Sequence, residues 1–137
     1  MEEIELGDAF IVKTPPNAWH LYTIIASIPG NNYLLVSVTT SNTQIDADKD
    51  CVINPGIGVP EFITRQSTVA YGYAREVRGN DIKRLVRSGE WQYNGRFSEE
   101  YVWQMQLKGA CSKQIKHKYK TVLQKILDIQ ELYRMLG

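Results

Sequence analysis

Histidine and cysteine are scarce in this chain. His20, His117, Cys51 and Cys111 are the only ones among 137 residues. So few ligands argue against a metal cage of His and Cys, and the cysteine spacing matches no zinc motif. No apolar run approaches the ~18 residues of a membrane helix, so no membrane partner is expected. The start, Met1-Glu2-Glu3-Ile4-Glu5, lacks the basic residues and apolar run of an export signal. A cytoplasmic location with reduced, buried thiols is therefore expected. Repeats and low-complexity tracts are absent. The run Asp46-Ala47-Asp48-Lys49-Asp50 alternates like a calcium loop. It lacks glycine at the sixth position and Glu at the twelfth, where Ile57 stands, which argues against that site. Gly56-Ile57-Gly58 leads into Pro60 and opens no helix, so it is not a phosphate cradle.

What is present fits one globular domain over residues 1–137, with 43% hydrophobic and 23% charged residues. The net charge of +1 hides a split. Residues 1–62 hold eight acids and two bases, a net of −6, and residues 63–137 hold fourteen bases and seven acids, a net of +7. Such asymmetry fits two mutually attracting halves, their pairing between two copies of the chain, or a basic surface for a polyanion.

Ala9–Val12 predicts a short strand, broken by Thr14-Pro15-Pro16-Asn17. His20–Ile28 is rich in β-branched and aromatic residues and predicts a buried strand. Pro29-Gly30-Asn31-Asn32 predicts a turn, and Tyr33–Thr40 the returning strand. A polar stretch from Ser41 to Asp50 follows. Cys51–Ile53, Phe62–Ile63 and Ser67–Ala74 add short strands. Five or so short strands with regular turns predict an α+β chain: a small SH3-like β-barrel over about residues 5–77, then helices over about 78–137. Asn80 or Asp81 caps a short helix, Ile82–Arg87, stopped at Ser88-Gly89. Ser98-Glu99-Glu100 opens a second helix, ending near Lys108-Gly109. A third is expected from about Ser112, with Ile115, Tyr119, Val122, Leu123, Ile126, Leu132 and Leu136 on one stripe.

From Gly7 to Tyr71 the chain resembles the MazF/PemK toxin superfamily of toxin–antitoxin pairs. The pieces fall in that family's order: Gly7-Asp8, the Pro15-Pro16 loop, the apolar strand Tyr22–Ile28 and a second strand ending in Thr39-Thr40-Ser41. Asp50-Cys51, the loop Gly58-Val59-Pro60-Glu61-Phe62-Ile63, Ser67, Tyr71 and the basic helices beyond are similar to a divergent branch. The resemblance covers half to two-thirds of the chain. It implies a metal-independent, cofactor-free endoribonuclease that cleaves single-stranded RNA, forms a homodimer and is held by an antitoxin. Two departures stand out. Family members carry Arg at the head of the second strand, where this chain has Trp19-His20-Leu21, and Val59 stands where the branch has His.

In such cleavage the 2′-hydroxyl attacks the adjacent phosphate and leaves a cyclic phosphate. It needs proton-transfer groups and donors for the phosphoryl charge. His20 is the candidate for proton transfer. Thr39 and Thr40 are candidate catalytic donors, and Ser41 and Lys13 candidate RNA-binding groups. Lys113, Lys116 and Lys120, expected on one helical face beside His117, are candidate phosphate contacts. Trp91, Tyr93, Tyr101 and Trp103 are candidate base-stacking residues. Each has a structural alternative. His20 can cap its strand, the threonines suit a sheet, and the lysines suit a solvated face. Ser67 and Tyr71 read as structural hydrogen-bonding positions. The alternative function is a non-catalytic barrel that binds a protein or nucleic acid.

Overall fold

The computed structural model describes residues 3–14, 18–40 and 48–136, without the side chains of 48–50. The elements run β1 (Asp8–Thr14), β2 (Ala18–Ile28), β3 (Asn32–Thr40), β4 (Asp48–Ile53), β5 (Ser67–Arg78), α1 (Gly79–Ser88), β6 (Trp91–Arg96), α2 (Glu99–Cys111) and α3 (His117–Leu136). The six strands form one sheet in the order β4-β5-β3-β2-β1-β6, every pair antiparallel. The chain is α+β as expected. Among the described residues the sheet is open, with β4 and β6 at its edges. Closure needs a ladder between those edges. Instead, residues 54–66 reach toward β6 through one side-chain bond, Phe62 N to Asn94 Oδ1 at 2.9 Å.

The central strands are buried on both faces, which is why residues 21–26 are a continuously buried run, apolar but for Thr23, rather than an alternating one. One face carries Ala9, Leu21, Ile25, Val36, Val38, Val69 and Tyr71, packed with residues of α2 and α3. On α2, Val102, Met105, Gln106, Gly109 and Ala110 are buried at helical spacing. Tyr71 OH donates to Met105 O at 2.7 Å and Gln106 Nε2 to Ile25 O at 2.7 Å. Tyr71 is thus a fastening between sheet and helix, as its structural alternative has it. The opposite face carries Phe10, Val12, Tyr22, Ile24, Leu35, Val77 and Trp91, closed by Ile82, Leu85 and Val86 of α1.

Several expectations need correction. Phe62–Ile63 is not a strand, and β5 runs on to Arg78. The region after residue 78 is not all helix, because Trp91–Arg96 pairs with β1. α1 begins at Gly79, and its N-cap, Arg78, makes no side-chain cap bond. Gly89 ends it in the left-handed conformation (φ 84°). α2 passes through Gly109 rather than ending there. A Cβ at that position would stand 2.7 Å from Leu123 Cδ1 and 2.9 Å from Tyr71 Cε1, so the glycine serves close packing, not termination. Ser98 caps α2 as expected, accepting from Tyr101 N at 3.3 Å. Ser112 caps the end of α2, and α3 starts only at His117. Cys51 is buried, but Cys111 is exposed, so only one thiol meets the expectation.

Candidate functional site

α1 covers only part of its sheet face. Beyond it, where β1, β2, β3 and β5 continue past the helix, the face is open. A cavity of about 330 Å³ lies there, lined by Thr14, His20, Tyr22, Ser37, Thr39 and Tyr73 over Ala70. Strand register accounts for this set. Tyr22 stands opposite Ser37, and Ser37 opposite Ala70. One step further along the same registers, His20 and Thr39 come together. Tyr73 reaches the cavity through a bulge. Between the pairs Leu35–Arg75 and Ser37–Ala70, Val36 alone faces residues 71–74. The extra residues re-aim the side chains, so Tyr71 points to the helices and Tyr73 to the cavity.

A second cavity, of about 350 Å³, lies at the strand ends. His20 and Thr39 line it too, so they form the wall between the two spaces. Its other sides come from Trp19, Thr40, Phe62 and Arg65. Residues 54–66 are held there by further bonds besides that from Phe62, among them Gln66 Nε2 to Asn54 Oδ1 at 3.3 Å. Ser98 N donates to Gly58 O at 2.9 Å, Ile63 N to Pro60 O at 3.1 Å, and Ser67 Oγ to Arg65 O at 3.0 Å. Ser67 therefore shapes the turn that presents Arg65. Trp19 is 50% and Phe62 38% exposed, so both rings are open to a stacking partner. Lys13 pairs with Trp19 across the sheet and its Nζ lies 5.5 Å from that ring's centroid. This cation–π contact holds the ammonium at the rim and contributes roughly 0.5–1 kcal/mol.

Of the expected site residues, then, the fold brings together His20, Thr39, Thr40 and, at the rim, Lys13. Ser41, Pro15 and Pro16 lie outside the described residues. Lys113 and Lys116 lie in the α2–α3 connection and only Lys120 in α3, so the three do not share one helical face. None of them lines either cavity. The aromatic quartet is dispersed. Trp91 is buried 5.6 Å from Phe10, Tyr101 packs on Phe97, and Tyr93 bonds Asp8. Trp103 is exposed on α2.

Two arginines escaped the sequence reading. Arg65 lines the second cavity together with His20, although the head of β2 has no arginine. Arg75 lies over both Tyr22 and Trp91, its guanidinium carbon 5.5 Å from each ring centroid. Neither has an ion pair among the described residues. The one available signal was the Arg-x-Ser turn before β5, and its place in the cavity that His20 lines depends on pairing between distant strands. No group of three or more His, Cys, Asp or Glu side chains suited to a metal occurs among the described residues. No helix among them is long and apolar enough to cross a membrane.

Away from the groove, Asp8 is wholly buried. Its Oδ1 accepts from Arg96 Nε at 2.9 Å and Tyr93 OH at 3.3 Å, and its Oδ2 from Glu5 N at 2.9 Å. Burial, then the Asp8 charge, pushes the Tyr93 phenol above its ordinary range. Bonding to Asp8 raises Arg96 further. This cluster ties β6 to β1 and is structural.

Compared with known proteins, the chain matches no family model, no curated sequence and no solved structure.

Proposed function

We propose that the chain is a toxin-like, metal-independent endoribonuclease of the MazF/PemK kind, taking single-stranded RNA across the wall between the two cavities. The observation that carries this is that His20, Arg65, Thr39 and Thr40 all line the second cavity, with His20 and Thr39 on the wall it shares with the first. In this scheme the 2′-hydroxyl attacks phosphorus and the 5′-oxygen leaves. His20 takes the 2′-hydroxyl proton and returns it to the leaving 5′-oxygen, and Arg65 with the threonine hydroxyls donates to the phosphoryl oxygens. Arg65 takes the part of the arginine missing from the head of β2. Trp19 and Phe62 are sequence-tolerant stacking surfaces for bases. Kinship of the open sheet with an SH3-like barrel, a homodimer and an antitoxin partner all belong to this proposal.

The test is incubation of long, weakly structured RNA with purified protein in EDTA. Fragments ending in cyclic phosphate are expected from wild type. His20→Ala and Arg65→Gln are expected to lose at least ~100-fold in rate while keeping their fold. Intact RNA with wild-type protein refutes the catalytic reading. One observation favours the non-catalytic alternative. Ile129, Leu132, Tyr133, Met135 and Leu136 on the last turns of α3 are 54–78% exposed, which suits a protein partner.

A further inference from the structure

α3 changes character along its length. Tyr119 and Leu123 are buried, and Val122, Ile126 and Leu127 pack against the core shared by α2 and the sheet. Further on, Leu127, Gln130 and Arg134 line a small cavity with Trp103 and Leu107 of α2. These contacts fix the side of the helix that is turned to the body. On another side, Ile129, Leu132, Tyr133 and Leu136 follow the i, i+3, i+4, i+7 spacing of an apolar stripe. They are 54%, 55%, 73% and 78% exposed. The stripe itself holds no charge, and the two charges between its residues, Glu131 and Arg134, pair with each other at 2.6 Å. A solvated helix end gains nothing from four large apolar side chains on one side, so the stripe is a contact surface.

We infer that this stripe seats a second copy of the chain, the two α3 ends pairing antiparallel about a two-fold axis near residues 132 and 133. An uncharged apolar stripe is complementary to itself, which is what an isologous two-fold contact needs. The area fits. Four side chains this exposed present on the order of 500 Å² per copy, so a pair buries about 1,000 Å², the lower bound of a specific interface. That extent gives a dimer formed at micromolar concentration rather than an obligate one. The direction follows from what α3 already touches. A parallel seam would run back to Val122 and Ile126, which are committed to the core of their own copy. Antiparallel pairing uses only the free end, where Ile129 of each copy meets Leu136 of the other. It also brings Lys125 of each copy toward the carbonyl end of the other α3, where a cation is favourable. α3 packs on the sheet face opposite the one that carries the first cavity, so the pairing leaves the groove accessible. The inference goes beyond the ribonuclease reading, and neither needs the other.

Sedimentation velocity on the full chain, from about 1 to about 200 μM, tests this. Wild type is expected to pass from monomer to dimer across that range. Leu132→Glu puts a charge at the centre of the stripe, at an exposed position. It should weaken the dimer at least ~10-fold while circular dichroism of the dilute monomer stays unchanged. Cysteine variants read the direction, made with the exposed Cys111 replaced by serine. Tyr133→Cys stands near the axis and should form a disulfide between copies on mild oxidation. Ile129→Cys, displaced about 10 Å along the helix from its counterpart, should not. A wild type that stays monomeric throughout overturns the inference and leaves the stripe to an unlike protein. A dimer that Leu132→Glu leaves intact overturns it too. Cross-linking at Ile129→Cys as strong as at Tyr133→Cys overturns the antiparallel pairing. RNA cleavage is read on the same samples. A dimer without cleavage sinks the ribonuclease and keeps the interface, and cleavage by a monomeric wild type does the reverse.

Discussion

Replacing Gly109 by alanine sets two well-known effects against each other. Glycine inside a helix costs about 0.5–1 kcal/mol relative to alanine, so propensity alone makes Gly109→Ala stabilising. The added methyl, however, meets Leu123 Cδ1 at 2.7 Å and Tyr71 Cε1 at 2.9 Å. Neither neighbour yields freely. Leu123 is wholly buried, and Tyr71 is held by its bond to Met105 O at 2.7 Å. Overpacking of this kind costs about 1–3 kcal/mol, so packing wins. The net expectation is a loss of about 1–2 kcal/mol. At this chain length it lowers the melting temperature by roughly 3–8 °C. Thermal melts by circular dichroism read this directly. Combining Gly109→Ala with Leu123→Ala makes room for the methyl, so the pair should cost less than the sum of the two single changes. A melting temperature raised by Gly109→Ala, or strict additivity in the pair, refutes the claim that α2 and α3 approach through this glycine.

Two further outcomes test the Asp8 cluster. Asp8→Ala removes three accepted bonds, but Arg96 is 48% exposed and rehydrates when freed. The loss expected in urea titration is therefore about 1–3 kcal/mol, below the ~3–5 kcal/mol of a fully buried pair; a change under ~0.5 kcal/mol contradicts it. The raised Tyr93 phenol means that the folded state holds that proton more tightly than the unfolded state. Its stabilisation is complete below the ordinary tyrosine value of about 10 and fades as pH rises through the higher folded value. Melting temperatures measured from pH 9 to 12 should fall more steeply for wild type than for Tyr93→Phe, and parallel curves dismiss the coupling to Asp8.

The strands β1, β2, β3 and β5 and the helix after Ser98 were legible in the sequence because their signals are local. They lie in β-branched and aromatic runs, in the Pro29-Gly30-Asn31 turn, where Gly30 and Asn31 take positive φ, and in the serine cap. β6 was not legible. In Trp-Gln-Tyr-Asn-Gly-Arg only Trp91 is buried, and the segment is a strand because β1 lies beside it. The site divides the same way. His20, Thr39 and Thr40 stood out by chemistry and by their place at strand ends. Arg65 and Arg75 did not, because an arginine in a turn or on a strand reads as solvated until the fold sets Arg65 in the cavity that His20 lines and Arg75 over Tyr22.

Residue chemistry and local periodicity, taken alone, determined the α+β class, the apolar strands and the proton-transfer candidate. The tertiary structure decided which sheet face α1 leaves open. It also decided that Gly109 is a packing residue rather than a helix end, and which cations reach the groove. These outcomes depend on residues tens of positions apart, such as Tyr71 bonded to Met105 and His20 lining one cavity with Arg65. A sequence pattern carries turn geometry and facial alternation over a few residues, but not the pairing that brings distant segments together.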